Sequence, residues 1–142
     1  MAKLYFYYAS MNAGKSATLL QADFNYRERG MATMLWTAVH DDRGGARAIE
    51  SLMGLAADAH RYDPATDLWE RVGAAHAVQS IACVLIDEAQ FLTPAQVWQL
   101  ARLADEANIP VLCYGLRTDF RGDLFAGSAV LLGIADALVE LK

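Results

Sequence analysis

Apolar residues in this chain fall into short dense runs, separated by longer stretches where they recur three or four positions apart. The dense runs are Lys3 to Tyr8, Thr33 to Val39, Ile81 to Ile86 and Pro110 to Tyr114. Continuous apolar runs of this length suit strands covered on both faces. Between them lie helical patterns. The first runs from Lys15 to about Arg29, with Leu19, Leu20 and Phe24 in its apolar set and Gly30 as its stop. The second spans Thr66 to His76 with Leu68, Trp69 and Val72 on one face. The third starts at Thr93-Pro94, an N-cap followed by proline at the first helical position, and ends near Ala107. His40 to Glu50 and Leu116 to Gly127 are polar and glycine-bearing and read as loops, and Ala137 to Leu141 reads as a last strand. This alternation predicts an α/β fold: a mostly parallel sheet with helices on both faces. Leu4, Phe6, Val84, Ile86, Val111 and Cys113 are the expected core.

The 142 residues suit one domain, and 55% of them are apolar, enough to cover a sheet and leave surface for a subunit contact. Net charge is −5, from 12 basic and 17 acidic residues, with no basic block, so nucleic-acid binding is not expected. No run reaches membrane-spanning length and no signal peptide is evident, so a soluble cytoplasmic protein is expected. Cys83 and Cys113 sit inside apolar runs, without a Cys-x-x-Cys pair or a histidine cluster. Buried reduced thiols are expected, and no zinc site.

Candidate chemistry begins where the first strand ends. Ala9-Ser10-Met11-Asn12-Ala13-Gly14-Lys15-Ser16 joins that strand to the first helix. Strand, loop ending Gly-Lys-Ser, then helix is the layout of a phosphate-binding P-loop, although Ala9 replaces its usual first glycine. Backbone N–H groups there surround an anion, and the helix adds its positive end. Lys15 would reach the β- and γ-phosphates and Ser16 would ligate Mg²⁺. The run Ile81 to Ile86 ends in Asp87-Glu88, a Walker B pattern, expected on a strand beside the first. Asp87 would hold Mg²⁺ directly or through water. Glu88 would be free to accept a proton from a hydroxyl or from water.

Taken together, the residues resemble the type II (zinc-ribbon) thymidine kinases, close to the bacterial members, from residue 3 to residue 142. Four stretches carry the resemblance: Met11 to Ser16, Asp41-Asp42-Arg43, Asp87-Glu88-Ala89-Gln90-Phe91, and Leu112 to Gly122 with Phe125 beyond. It implies a RecA-like P-loop core in which Glu88 is the general base for the nucleoside 5′-hydroxyl. ATP and its phosphates would be held by Ala9, Ser10, Met11, Asn12, Ala13, Gly14, Lys15 and Ser16, with Arg43, Asp87 and Gln90 close by. Gln90 would help to position the site. Mg²⁺ would come with the nucleotide, on Ser16 and Asp87. Met11, Phe91, Leu116, Phe120 and Phe125 would line the thymine pocket. The resemblance also implies thymidine as the acceptor, thymidine triphosphate as an inhibitor, and a tetramer.

Two departures stand out. Leu52 occupies a position where the bacterial members carry arginine. The family's four-cysteine zinc ribbon and its lasso loop have no counterpart in these residues, so 1–142 is expected to be the nucleotide-binding core alone. Two other readings stay open on this pattern: a nucleotide-binding module without catalysis, and a P-loop ATPase in which Glu88 activates water.

Overall fold

The computed structural model describes residues 1–9, 15–39, 48–50 and 56–141, with backbone alone at 48–50 and 56–57. Eight strands and four α-helices are present among them, in the order β1 (Leu4–Ala9), α1 (Lys15–Glu28), β2 (Thr33–Ala38), β3 (Ala48–Glu50), β4 (Ala56–Asp58), β5 (His60–Tyr62), α2 (Leu68–Val78), β6 (Cys83–Ile86), α3 (Pro94–Glu106), β7 (Val111–Leu116), α4 (Ala126–Ile134) and β8 (Ala137–Glu140). A 3-10 turn at Ala89–Phe91 follows β6. Six strands form one sheet, ordered β5-β2-β6-β7-β1-β8, and every pair in it is parallel. β3 and β4 form a separate antiparallel pair.

Alternation along the strands sorts side chains to two faces. Leu4, Phe6, Met34, Trp36, Val84, Ile86, Val111 and Cys113 meet α2, α3 and α4 through Leu68, Val72, Val97, Leu100, Leu103 and Leu131. Leu35, Cys83, Leu85, Leu112 and Tyr114 meet α1 through Leu19 and Leu20. Helices therefore cover both faces, and all six expected core residues are buried.

Local chemistry sets the helix ends. Gly30 takes φ +76° after α1, and the Met31 N–H returns to the Tyr26 carbonyl. Thr93 and Gln96 close a reciprocal capping box before α3. The expected helix from Thr66 instead starts at Leu68, because the Asp67 carboxylate accepts the Glu70 N–H and caps it.

Several expectations need correction. β6 does not lie beside β1, because β7 pairs with both and separates them. The core of β7 is buried on both faces, as an interior strand requires, and an apolar run does not reveal its neighbours. Phe24 is 57% exposed, and α1 buries Asp23 in its place, bonded to Thr33 and Arg27. Residues 48–50 form β3, although that stretch reads as loop. The expected loop to Gly127 gives way to α4, whose first residue is Ala126.

Candidate active site

The C-terminal ends of β1, β6 and β7 and the first turn of α1 share one edge of the sheet, where open α/β folds bind ligands. Lys15 is the first residue of α1 and only 4% exposed. Its Nζ lies 3.5 Å from Glu88 Oε1. The other carboxylate oxygen, Oε2, accepts a hydrogen bond from Gln90 Nε2 at 2.5 Å. Gln90 is itself held, since its Oε1 accepts the Leu116 N–H at 3.1 Å. That bond fixes which end of the amide faces Glu88.

Glu88 sits in the left-handed region at φ 53°, ψ 43°. Such a conformation costs a non-glycine residue about 1–3 kcal/mol and needs support from its surroundings. Support comes from Tyr62, fully buried on β5, whose hydroxyl donates to the Glu88 carbonyl at 2.6 Å. Two glycines clamp the turn that follows. A Cβ on Gly115 would lie 2.8 Å from Gln90 Oε1 and 2.9 Å from Gln90 N. A Cβ on Gly127 would lie 2.5 Å from the Leu92 carbonyl and 2.9 Å from that of Ala89. β7 and α4 can approach the turn only because these positions lack side chains.

Asp87, directly after β6, is almost completely buried, its N–H donating to the Trp36 carbonyl at 2.7 Å. Ser16 lies in the first turn of α1. Thr37, on the neighbouring strand β2, is 2% exposed and its hydroxyl has no hydrogen-bond partner among the described residues. A carboxylate and hydroxyls are hard oxygen donors suited to Mg²⁺, which keeps several waters of its own. Among the described residues no group of three or more His, Cys, Asp or Glu is placed to hold a metal.

The expected pocket residues are only partly assembled. Phe91 and Phe125 meet edge to face at 5.7 Å between ring centroids. Leu116 ends β7, its carbonyl accepting from the Ser128 hydroxyl. Phe120 stands apart at 91% exposure, with the Arg121 guanidinium over its ring, in a turn tied by the Asp119 carboxylate. Ala9 is buried at the end of β1 and its carbonyl accepts the Arg117 N–H. Ser10, Met11, Asn12, Ala13, Gly14 and Arg43 lie outside the described residues, as do Asp41, Asp42 and Leu52.

Both cysteines are buried free thiols. Burial pushes the Cys83 thiol up to about 12 against a lowering hydrogen bond from Tyr26, and burial also raises Cys113. Neither is poised as a nucleophile. Sequence reading missed Tyr62, Thr37, Gly115 and Gly127. The glycines carried a faint signal, each standing within or next to an apolar run where a turn residue is out of place.

The chain matches the family described as "Thymidine kinase" over residues 2–142. All 142 residues align with a thymidine kinase of Novosphingobium aromaticivorans at 79% identity, covering 74% of that protein. Thymidine kinases of Zymomonas mobilis and Photobacterium profundum align over the same residues at 59% and 58% identity, each with 74% of its length covered. On this agreement, over essentially its whole length, the chain belongs to the thymidine kinase family.

Proposed function

We propose that this chain is the catalytic core of a thymidine kinase, transferring the γ-phosphate of ATP to the 5′-hydroxyl of thymidine or deoxyuridine for nucleotide salvage. The observation that carries the reading is the Glu88 carboxylate, anchored by Gln90 and facing Lys15 at the ligand-binding edge of the sheet. Phosphoryl transfer needs little covalent help from protein, but it needs an oriented nucleophile and neutralised phosphate charge. Glu88 accepts the 5′-hydroxyl proton as the oxygen attacks the γ-phosphorus and the bond from that phosphorus to the β,γ-bridging oxygen breaks, releasing ADP. Lys15 and the amides of the Ala9 to Ser16 loop hold the donor phosphates, with Arg43 beside the transferred group. Gln90 keeps the Glu88 carboxylate aimed. Mg²⁺, carried in with ATP on Ser16 and Asp87, supplies neutralisation of the phosphate charge. Phe91 and Phe125 offer flat apolar walls for the thymine ring, completed by Met11, Leu116 and Phe120. The family resemblance adds a homotetramer, feedback by thymidine triphosphate and a cytoplasmic location. No zinc site belongs to this reading of residues 1–142. No helix among the described residues is long and apolar enough to cross a membrane.

ADP release from Mg–ATP, measured with and without thymidine, tests the proposal. Thymidine-dependent release is expected. Release independent of thymidine would make the chain an ATPase, and nucleotide binding without release would make it a binding module.

A further inference from the structure

The register of the parallel sheet places an unsatisfied hydroxyl next to Asp87. Trp36 on β2 is level with Ile86 on β6, so the next pair along is Thr37 with Asp87. The Asp87 N–H bond to the Trp36 carbonyl continues that ladder. Leu35 and Leu85 pack toward α1, while Trp36 and Ile86 pack toward the opposite layer. Alternation then turns Thr37 and Asp87 to the α1 face together, about 5 Å apart across neighbouring strands. α1 runs back along that face from the ligand edge, so Lys15 and Ser16 in its first turn lie at the same end. On the other side of Thr37, level with it on β5, is Arg61. A guanidinium only donates, so the hydroxyl proton of Thr37 needs an acceptor elsewhere. Thr37 is 2% exposed, and its Oγ1 has no partner among the described residues. Buried polar groups in native proteins are satisfied, and one left open in a ligand site marks a missing water or ion.

We propose that Thr37 is a positioning residue for the nucleotide-bound cation, its hydroxyl holding, next to Asp87, a water of the Mg²⁺ hydration shell. The inference rests on the kinase reading of the site. It assigns a role to a residue outside the P-loop and outside the Asp-Glu stretch. Mg²⁺ gives up its waters reluctantly, so a protein that fixes one of them fixes the ion. Thr37 would act through that water and touch neither substrate directly.

The test compares the wild-type chain, Thr37→Val and Thr37→Ser. Melting temperature is measured without metal or nucleotide. Affinity for a non-hydrolysable ATP analogue is measured by calorimetry with and without Mg²⁺. Thr37→Val is expected to melt at or above the wild-type temperature, because an isosteric methyl replaces an unsatisfied hydroxyl. The same variant is expected to lose about 3- to 10-fold of the Mg²⁺-dependent gain in affinity, the worth of one water-mediated hydrogen bond. Thr37→Ser should retain that gain. An unchanged Mg²⁺-dependent gain in Thr37→Val overturns the proposal. So does a clear fall in its melting temperature, which would reveal a protein partner for the hydroxyl. Failure of the wild-type chain to bind the analogue with Mg²⁺ overturns the functional reading itself, and is told apart because no variant is involved.

Discussion

Lys15 and Glu88 form an ion pair at 3.5 Å, with their side chains 4% and 11% exposed. A triphosphate that engages Lys15 competes with Glu88 for its charge. The carboxylate itself stays tied to Gln90 through its other oxygen. On the proposed kinase reading, nucleotide binding at Lys15 and release of Glu88 toward a hydroxyl are two sides of one exchange of partners.

Glu88→Gln should abolish transfer while sparing nucleotide binding. The amide has nearly the shape of the carboxylate but does not accept the 5′-hydroxyl proton. Loss of a general base lowers the rate by about 10²- to 10⁴-fold. Because Lys15 then has no carboxylate to leave, affinity for Mg–ATP should hold or rise. Single-turnover rates and calorimetry on the same samples check both parts. A fall in affinity matching the fall in rate would remove Glu88 from the role of base.

Lys15→Met should weaken both folding and nucleotide binding. Breaking a buried ion pair by removing one partner costs about 3–5 kcal/mol, since the other charge is left uncompensated. Adding Glu88→Gln should restore much of the stability and none of the binding. A double-mutant cycle in denaturant, with nucleotide titrations alongside, separates the two effects. Equal nucleotide affinity in wild type and Lys15→Met would end the P-loop assignment.

Gly115→Ala should impair transfer more than its small size suggests. The new methyl would meet Gln90 Oε1 at 2.8 Å and Gln90 N at 2.9 Å, which displaces the amide that holds Glu88. Overpacking of this kind costs about 1–3 kcal/mol. The expected result is a folded protein with lowered melting temperature, near-normal ATP affinity and reduced turnover. Turnover equal to wild type would show that the turn relaxes without moving Glu88.

Alkaline pH should destabilise the fold through Cys83. Burial raises its thiol to about 12 in the folded protein, while an exposed thiol titrates near 8.5. Between these values the unfolded chain has lost the proton that the folded chain keeps, so stability falls as pH rises. Tyr26, also raised to about 12 by burial, acts in the same direction from about pH 10 upward. Urea midpoints from pH 8 to pH 11 should decline, and Cys83→Ala should flatten the decline. An identical slope in that variant would assign the effect to the tyrosines.

The layout of the fold was legible wherever one physical signal dominated. Val84 and Ile86 announced an interior strand because no polar residue interrupts them, and Thr93-Pro94 announced a helix because capping chemistry is local. α4 left no such mark: Phe125 precedes it without a side-chain cap, and Ala126 to Ile134 has no polar face to give a period. The three-residue strands β3, β4 and β5 are too short to show alternation. At the site, Lys15, Asp87 and Glu88 were legible as motif residues. Tyr62 was not, since it meets Glu88 across 26 positions of sequence by a bond that only the sheet order creates. Strand order is a property of pairing, which is also why the interposition of β7 went unseen.

That interposed strand acts as a spacer. Neighbouring strands lie about 4.8 Å apart, so β1 and β6 are held about 9.6 Å from each other with β7 between them. The ends of β1 and β6, which precede Lys15 and Glu88 in the chain, therefore stand at a separation set by backbone hydrogen bonds and not by side-chain packing. Lys15, in the first turn of α1, brings its Nζ to 3.5 Å from the Glu88 carboxylate just beyond β6. The spacer is also the strand whose last N–H, at Leu116, holds the Gln90 amide. Any displacement along β7 would change the span and the aim of Glu88 together, so this strand should tolerate change less than its neighbours, even where its side chains touch no ligand.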